Sequence, residues 1–425
     1  MVMNTQQNNY HARQELMLSK ETSAMIKNLR ILVVGVGAGG NDLLKNLVLM
    51  GFGNITIVDF DYVEDSNLSK TTLFRIEDIG KSKAKVAAER LNEIALHPNP
   101  NIVGLHGNLI YEIGKGVFLD HDIVICCVDT LKARAYINDW CIRTNTPFFE
   151  MGFSKFDVNI TFFAPEGDMV QKDGTVITKL PTSDGYFPTL NGDFPVCIRE
   201  TIPNGFGNIE EKRNHCAGLR VRDVEMAKTP SIQAASAMAG ALISTELIKY
   251  LSGQDTLRNR KLFYDGMNHE IFTMRYSKSS KCNIHNEAKL PIKTMIINGD
   301  TTIKMIIDKL TEESNSPVTL FLPEVFYISG TCQSCGKQIL YNRRDSLIYN
   351  DERWCDECKA TYPDDYSIRL NYPLNFVQVD EEITSDSDES ILSLKLSDVG
   401  IPNNDLIKCR YLYGMNAIWL NIRTE

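Results

Sequence analysis

Leu29-Arg30-Ile31-Leu32-Val33-Val34-Gly35-Val36-Gly37-Ala38-Gly39-Gly40, followed directly by NDLLKNLVLMG, is the stretch that decides the fold. The apolar run before the first glycine is rich in β-branched residues. It predicts a buried parallel strand, because strands covered on both faces lose the polar alternation of half-exposed ones. A glycine loop set between a strand and a helix lets backbone N–H groups approach phosphate, with the helix dipole adding attraction. The pattern suits NAD as well as ATP, and a tight turn packing a helix onto a sheet would also use these glycines.

Working outward, Asn54 to Phe60 predicts a second strand ending on Asp59, 19 residues past Gly40. That is near the spacing expected for a carboxylate on ribose hydroxyls. A helix is expected from about Ser82 to Ala95, a strand near Ile102 to Gly107, and another apolar run from Asp122 to Val128 that ends on Asp129. Strands alternating with helices imply an α/β fold with a doubly wound, mostly parallel sheet, whose ligands sit beyond the carboxyl ends of the strands. From about 166 to 228 periodicity is lost, and so long an excursion is usually functional. Pro230 to Leu251 is an Ala-rich helix whose small residues suit close packing, and Lys261 to Tyr276 reads as one or two strands. A change of character near Asn286 to Leu290 divides residues 29–285, preceded by a polar arm over 1–28, from a C-terminal domain over 290–425.

Composition narrows the class. The chain has 425 residues, enough for two or three domains, and 43% hydrophobic and 23% charged residues give a soluble globular profile. No apolar stretch is long enough to span a bilayer, and the polar first residues lack the apolar core of a secretion signal. A cytoplasmic protein that does not engage membranes is expected. A net charge of −9 argues against a nucleic-acid partner. Eleven cysteines, some in CxxC pairs, point to metal binding or catalysis in a chain of this length.

The residues DFDYVEDSNLSKTTLF (59–74) and EDIGKSKAKVAAERL (77–91) resemble the ThiF/MoeB/HesA family, which includes the activating enzymes of ubiquitin-like proteins. The resemblance extends from Tyr10 to His285 and implies a Rossmann-like adenylation domain that uses ATP and Mg²⁺. Tyr10-His11-Ala12-Arg13-Gln14 is similar to the family's arm, in which the arginine crosses a homodimer interface to the partner's ATP. By position, the resemblance puts the phosphates at Gly35, Gly37, Gly39 and Gly40, the ribose at Asp59, and Mg²⁺ at Asp129. Asn67 and Lys83 would meet phosphates. Asp61, Lys70 and Arg134 match further nucleotide-site positions. The family's SNLNRQ is here Ser66-Asn67-Leu68-Ser69-Lys70-Thr71, so lysine replaces arginine and the bidentate fork is lost. Adenylation sends a carboxylate onto the α-phosphate, and the cations Arg13, Lys70, Lys83 and Mg²⁺ would meet the developing charge.

Many relatives pass the activated carrier to a cysteine, whose thiolate needs a polar, electropositive setting. Two cysteines of the excursion are candidates. Cys216, beside His215 and near Arg213, Arg220 and Arg222, resembles the cysteine ahead of the returning helix in sulfur-transfer members. Cys197, in Phe194-Pro195-Val196-Cys197-Ile198-Arg199, resembles the cysteine of the conventional ubiquitin-like activators. The choice is tied to a zinc site that the family builds from two CxxC pairs. Here the second pair reads Cys282-x-x-His285, whereas Cys197 is followed by Glu200 where a cysteine would stand. Cys126, Cys127 and Cys141 sit in apolar surroundings and read as small core residues.

Beyond the boundary, Cys332-x-x-Cys335 and Cys355-x-x-Cys358 are separated by 19 residues, which fits a four-cysteine structural zinc site in a ribbon at about 330–360. Around it, Thr294 to Glu312 and Leu392 to Ile422 are similar in pattern to the ubiquitin-fold domain that recruits the conjugating enzyme; an unrelated α+β accessory domain is the alternative. The expected partner is a ubiquitin-like or sulfur-carrier β-grasp protein, with a conjugating enzyme downstream. An NAD-dependent oxidoreductase would explain the glycine loop and Asp59 but would leave Tyr10–Gln14, Ser66–Lys70 and Asp129 without purpose. A non-catalytic nucleotide-binding scaffold is the third reading.

Overall fold

The structure, a computed structural model, describes residues 10–166, 169–170, 189–190, 193–198, 231–276, 284, 290–345, 348, 355, 357–358, 374–413 and 417–424. The chain divides into two compact units, residues 1–111 with 117–289, and residues 112–116 with 290–425. The short strap 112–116, which no composition shift marks, therefore belongs with the C-terminal unit. Among the described residues, no helix is long and apolar enough to cross a membrane.

The larger unit is built on β1 (Arg30–Val34), β2 (Asn54–Asp59), β3 (Asn101–His106), β4 (Ile123–Cys126), β5 (Phe148–Ser154), β6 (Asp157–Phe163), a small ribbon of β7 (Met169–Val170) and β8 (Thr189–Leu190), then β9 (Arg260–Asp265) and β10 (Glu270–Arg275). Its main sheet has eight strands in the order β10-β9-β6-β5-β4-β1-β2-β3. The five strands from β5 to β3 are parallel, and β6, β9 and β10 extend the sheet antiparallel. The chain winds one way through β1, β2 and β3 and the other way through β4 and β5. The switch point therefore lies between β1 and β4, where such sheets bind ligands.

Among the described residues, the α-helices of this unit include α1 (Ala12–Glu15), α2 (Lys20–Asn28), α3 (Ala38–Leu49), α4 (Asp65–Leu68), α5 (Lys83–Ile94), α6 (Leu131–Arg143) and α7 (Gln233–Leu251). Ile31 and Val33 on one face of β1 join Leu43, Leu47, Ile57, Phe149, Ile160, Phe162, Ala239 and Ile243 in one core. The small residues of α7 allow close approach to α3: a Cβ added at Gly240 would lie 2.8 Å from the Leu43 backbone nitrogen. Cys126 and Cys141 are fully buried, and burial pushes the thiols of Cys127 and Cys141 well above the usual range.

The C-terminal unit contains β11 (Ile292–Ile297), α8 (Ile303–Ser314), β12 (Val318–Phe321), β13 (Phe326–Cys332), β14 (Gln338–Arg344), β15 (Leu374–Val379), β16 (Glu382–Ile383), α9 (Glu389–Leu392), β17 (Asp405–Tyr411) and β18 (Ile418–Thr424). Five strands form a sheet in the order β11-β18-β17-β12-β16, with β11 parallel to β18, and three more form β14-β13-β15. A parallel pairing of first and last strands beside a helix is a β-grasp feature. Among the described residues no hairpin precedes the helix as in that fold: β11 runs straight into α8, and a C-terminal hairpin, β17–β18, stands in the sheet. The unit is thus α+β, and its strand order departs from a ubiquitin fold. The acidic stretch 380–390 carries β16 and the start of α9.

Candidate nucleotide site

At the carboxyl ends of β1, β2 and β4 lies a cavity of about 500 Å³. Its wall brings together Gly35, Gly37, Gly39, Asp59, Asp61, Lys83 and Asp129. The N-termini of α3 and α6 both open onto it, through Gly37, the N-cap of α3, and Thr130, whose Oγ1 accepts from the Ala133 amide at 3.3 Å. Two exposed helix N-termini favour an anion.

The glycines have different reasons. Gly35 has φ +91°, and an added Cβ would lie 2.8 Å from the Cys127 carbonyl oxygen. A Cβ on Gly40 would lie 2.2 Å from the Gly35 carbonyl oxygen. Both are demanded by the backbone turn. Around Gly37 nothing lies within 4 Å of an added Cβ, so no packing requires a glycine there and the missing side chain leaves room in the cavity.

Asp59 ends β2 and ties the loop down. Its Oδ2 accepts from the Val36 amide at 2.7 Å and its Oδ1 from the Asp61 amide at 2.8 Å. Burial raises its carboxyl above the usual range, against the lowering effect of these two amides and of Lys83. Lys83 is nearly buried at the start of α5, with Nζ 2.9 Å from Asp61 Oδ2 and its amide donating to the Asp61 carbonyl. Asp129 is exposed on the loop after β4, with no hydrogen bond to a described residue.

The remaining candidates lie elsewhere. Asn67 serves a capping box, its Oδ1 accepting from the Glu64 amide at 3.0 Å. Neither it nor Lys70 lines the cavity, and Gly40 lies beneath the loop. Arg134 is buried behind the β4 loop, where it pairs with Glu150 and donates to the Val128 carbonyl at 2.6 Å, so it braces the segment that carries Asp129. Arg13 is exposed on an arm pinned to the far end of α3, where His11 Nε2 lies 3.2 Å from the Leu49 carbonyl oxygen and Gln14 donates to Met50. The 12 residues of α3 put roughly 18 Å of helix between that end and the cavity.

Cys197 has no solvent exposure, and the amide of the next residue, Ile198, donates to Asn138 Oδ1 at 2.9 Å. Cys216, Cys282 and His285 lie outside the described residues. Among the described residues, one group of three or more metal-ligating side chains is brought together: Cys332, Cys335, Cys355 and Cys358, with sulfurs within 4.8 Å of one another.

Sequence reasoning missed Asn41 and Asp42, both buried on α3. Asn41 Nδ2 donates to the Val36 carbonyl at 3.1 Å and its Oδ1 accepts from the Leu73 amide at 2.9 Å, which fixes the glycine loop to the segment after α4. Asp42 Oδ2 accepts from Gln233 Nε2 at 2.7 Å on α7. Polar residues where the helical period demands apolar ones were the available signal. Tyr111 and Lys132, on the cavity rim with Lys132 Nζ 2.6 Å from the Tyr111 hydroxyl, carry no motif that marks them.

With this geometry stand the following likenesses. The SUMO-activating enzyme subunit 2 of Dictyostelium discoideum is 40% identical over 136 residues, 32% of this chain and 20% of that protein. The NEDD8-activating enzyme E1 catalytic subunit of Caenorhabditis elegans is 34% identical over 191 residues, 43% of each chain. The Nedd8-activating enzyme E1 catalytic subunit of Drosophila melanogaster is 25% identical over 413 residues, 82% of this chain and 89% of that protein. The chain thus spans less than half the length of the first two. The crystal structure of E. coli MccB with ATP is 18% identical and aligns with a TM-score of 0.47 over 66% of this chain and 75% of that one. The pattern of the ThiF family matches residues 11–284, most of the chain, which therefore belongs to that family.

Proposed function

We propose that this protein adenylates the C-terminal carboxylate of a ubiquitin-like protein at the expense of ATP. The observation that carries the reading is the single cavity shared by the glycine loop, Asp59, Lys83 and Asp129, in a member of a family whose relatives include E1 subunits. A carboxylate oxygen of the carrier attacks the α-phosphorus, the bond to the β-phosphate oxygen breaks, and pyrophosphate leaves. The amides at the start of α3 face the phosphates, Asp59 the ribose, and Lys83 swings from Asp61 toward the phosphate charge. Asp129 suits Mg²⁺, which favours one or two carboxylates together with phosphate oxygens and would neutralise the triphosphate. Asn67 and Lys70 reach the phosphates only if the short α4 moves inward.

Transfer to a cysteine then follows, the thiolate attacking the acyl carbon as AMP leaves. The burial of Cys197 favours Cys216 as that nucleophile, and a conjugating enzyme would accept the thioester next. The position of Arg13 at the far end of α3 favours service in trans within a homodimer. Exposed Ile271, Phe272 and Met274 on the edge strand β10 offer apolar surface to a second copy. Incubation with ATP, Mg²⁺ and β-grasp proteins ending in glycine, resolved on a non-reducing gel, tests the sequence of steps. A thiol-sensitive adduct lost in Cys216→Ala and kept in Cys197→Ala supports it. Pyrophosphate exchange without any adduct favours a sulfur-carrier adenylyltransferase, and nucleotide binding without exchange favours a scaffold.

A further inference from the structure

Among the described residues, the satellite sheet β14-β13-β15 of the C-terminal unit joins the unit's main core at one end. Phe326 at the start of β13 and Val379 at the end of β15 pair with each other and belong to the unit's main core. Arg344, paired with Phe326 on the other side, donates to the Gly400 carbonyl at 2.5 Å. Six residues along β13 the support changes. Among the described residues the buried cluster there consists of Cys332, Tyr341, Ile348, Cys355 and Leu374, two of them cysteines, with Tyr327, Ile339, Cys358 and Phe376 partly buried against it. A cluster so small does not hold a sheet end by apolar burial alone.

The four cysteines sit at this weak end in a defined cage. Cys332 Sγ lies 3.7 Å from Cys358 Sγ, and Cys335 Sγ lies 3.5 Å from Cys355 Sγ. A disulfide would need about 2.05 Å. Four thiolates about 2.3 Å from a central zinc ion stand ~3.8 Å apart at the corners of a tetrahedron, so these spacings are those of a metal cage. The turn between the first two ligands is shaped for thiolates. The amides of Ser334 and Cys335 donate to the Cys332 sulfur, and the amide of Lys337 donates to the Cys335 sulfur. The Gly336 amide closes back on the Cys332 carbonyl at 3.0 Å, with Gly336 at φ +72°, a conformation that suits glycine there.

We propose that Cys332, Cys335, Cys355 and Cys358 bind a structural zinc ion that closes the outer end of this sheet. With four protein ligands the ion has no open position, so it staples and does not catalyse. Removing the metal frays the outer part of β13, β14 and β15 and leaves the five-stranded sheet intact, because that sheet has its own core.

Elemental analysis of the full chain, wild type against Cys358→Ser, reads the site directly. The expected result is one equivalent of zinc lost in the variant. Hydrogen exchange on the wild type before and after metal displacement by an organomercurial gives a second readout that needs no variant. Exchange should rise at least tenfold over 329–341 and 374–377, with 292–297, 318–321 and 405–411 unchanged. Iron in place of zinc, no change of zinc in Cys358→Ser, two disulfides by thiol titration, or unchanged exchange at the outer end would each overturn the proposal. None of these readouts depends on nucleotide binding.

Discussion

Replacing Gly37 by alanine tests the phosphate seat without disturbing the fold, and Gly40→Ala provides the contrast. Gly37 has φ −66° and ψ −160°, extended backbone that alanine adopts, and its added Cβ would meet nothing within 4 Å. Losing glycine at a helix N-cap costs a few tenths of a kcal/mol to about 1, and the lower entropy of the unfolded chain returns about 0.4–1. The net effect is under ~1 kcal/mol, so the melting temperature should move by less than about 3 °C. A phosphate drawn to the amides of α3 would collide with the new methyl group. Overpacking of that kind costs about 1–3 kcal/mol, which is roughly a 5- to 150-fold loss of affinity. At Gly40 the added Cβ would stand 2.2 Å from the Gly35 carbonyl oxygen, a backbone atom that cannot turn aside. Gly40→Ala should therefore cost about 3 kcal/mol of stability or more. Calorimetric titration with ATP·Mg²⁺ and thermal melts of both variants separate the two effects. A Gly37→Ala protein that melts like wild type and binds ATP equally well would refute the placement of the phosphates.

Lys83→Ala should lower pyrophosphate exchange by about 10²–10³-fold, the usual loss for one preorganised charge at a reacting phosphate, and activity near wild type would remove that lysine from the chemistry. Asp129→Asn should raise the Mg²⁺ concentration needed for half-maximal exchange, and an unchanged Mg²⁺ dependence would show that the ion is held elsewhere. Mixing Arg13→Ala with Lys83→Ala should restore up to about a quarter of the exchange if random pairing of copies rebuilds one intact site; no recovery in a mixture shown to exchange subunits would remove Arg13 from service in trans. His121 lies with Nδ1 2.7 Å from the Val117 carbonyl oxygen and Nε2 2.8 Å from Thr56 Oγ1, and burial lowers its pKa below the usual 6.5. The folded state thus disfavours the proton that the unfolded chain accepts, so its contribution to stability is present above pH 6.5 and is lost as pH falls below it. Denaturant titrations from pH 7.5 to 5 should show that decline, and a His121→Gln protein with the same decline would assign it to other groups.

The parallel half of the large sheet was legible because β1 and β4 are continuous apolar runs and the loops after them carry glycine or aspartate. The boundaries moved by one or two residues, as at α5, where Ser82 is the N-cap and not the first turn. Of the candidate site groups, Gly37 and Asp59 were readable from motif spacing and Lys83 and Asp129 only from the family resemblance, and the fold brings all four to one cavity. Asn67 and Lys70 belong to the resemblance as well, yet neither lines the cavity and the Asn67 side chain is engaged in capping α4, an outcome that spacing does not encode. The strap 112–116 was illegible for a different reason. Lys115 reads as an ordinary charged loop residue until the fold buries it 2.7 Å from Asp405, 290 positions along the chain. The strand order of the C-terminal unit was equally out of reach, because β17 and β18 pair as a hairpin whose place in the sheet depends on long-range register.

The most direct test of the adenylation claim is exchange of labelled pyrophosphate into ATP by the purified full chain, with and without β-grasp proteins ending in glycine. The expected result is exchange that depends on a carrier with a free C-terminal carboxylate, disappears when that carboxylate is amidated, and falls sharply in Lys83→Ala. Exchange that is indifferent to the carboxylate or to Lys83, or a chain that binds NAD in the cavity and not ATP, would contradict it.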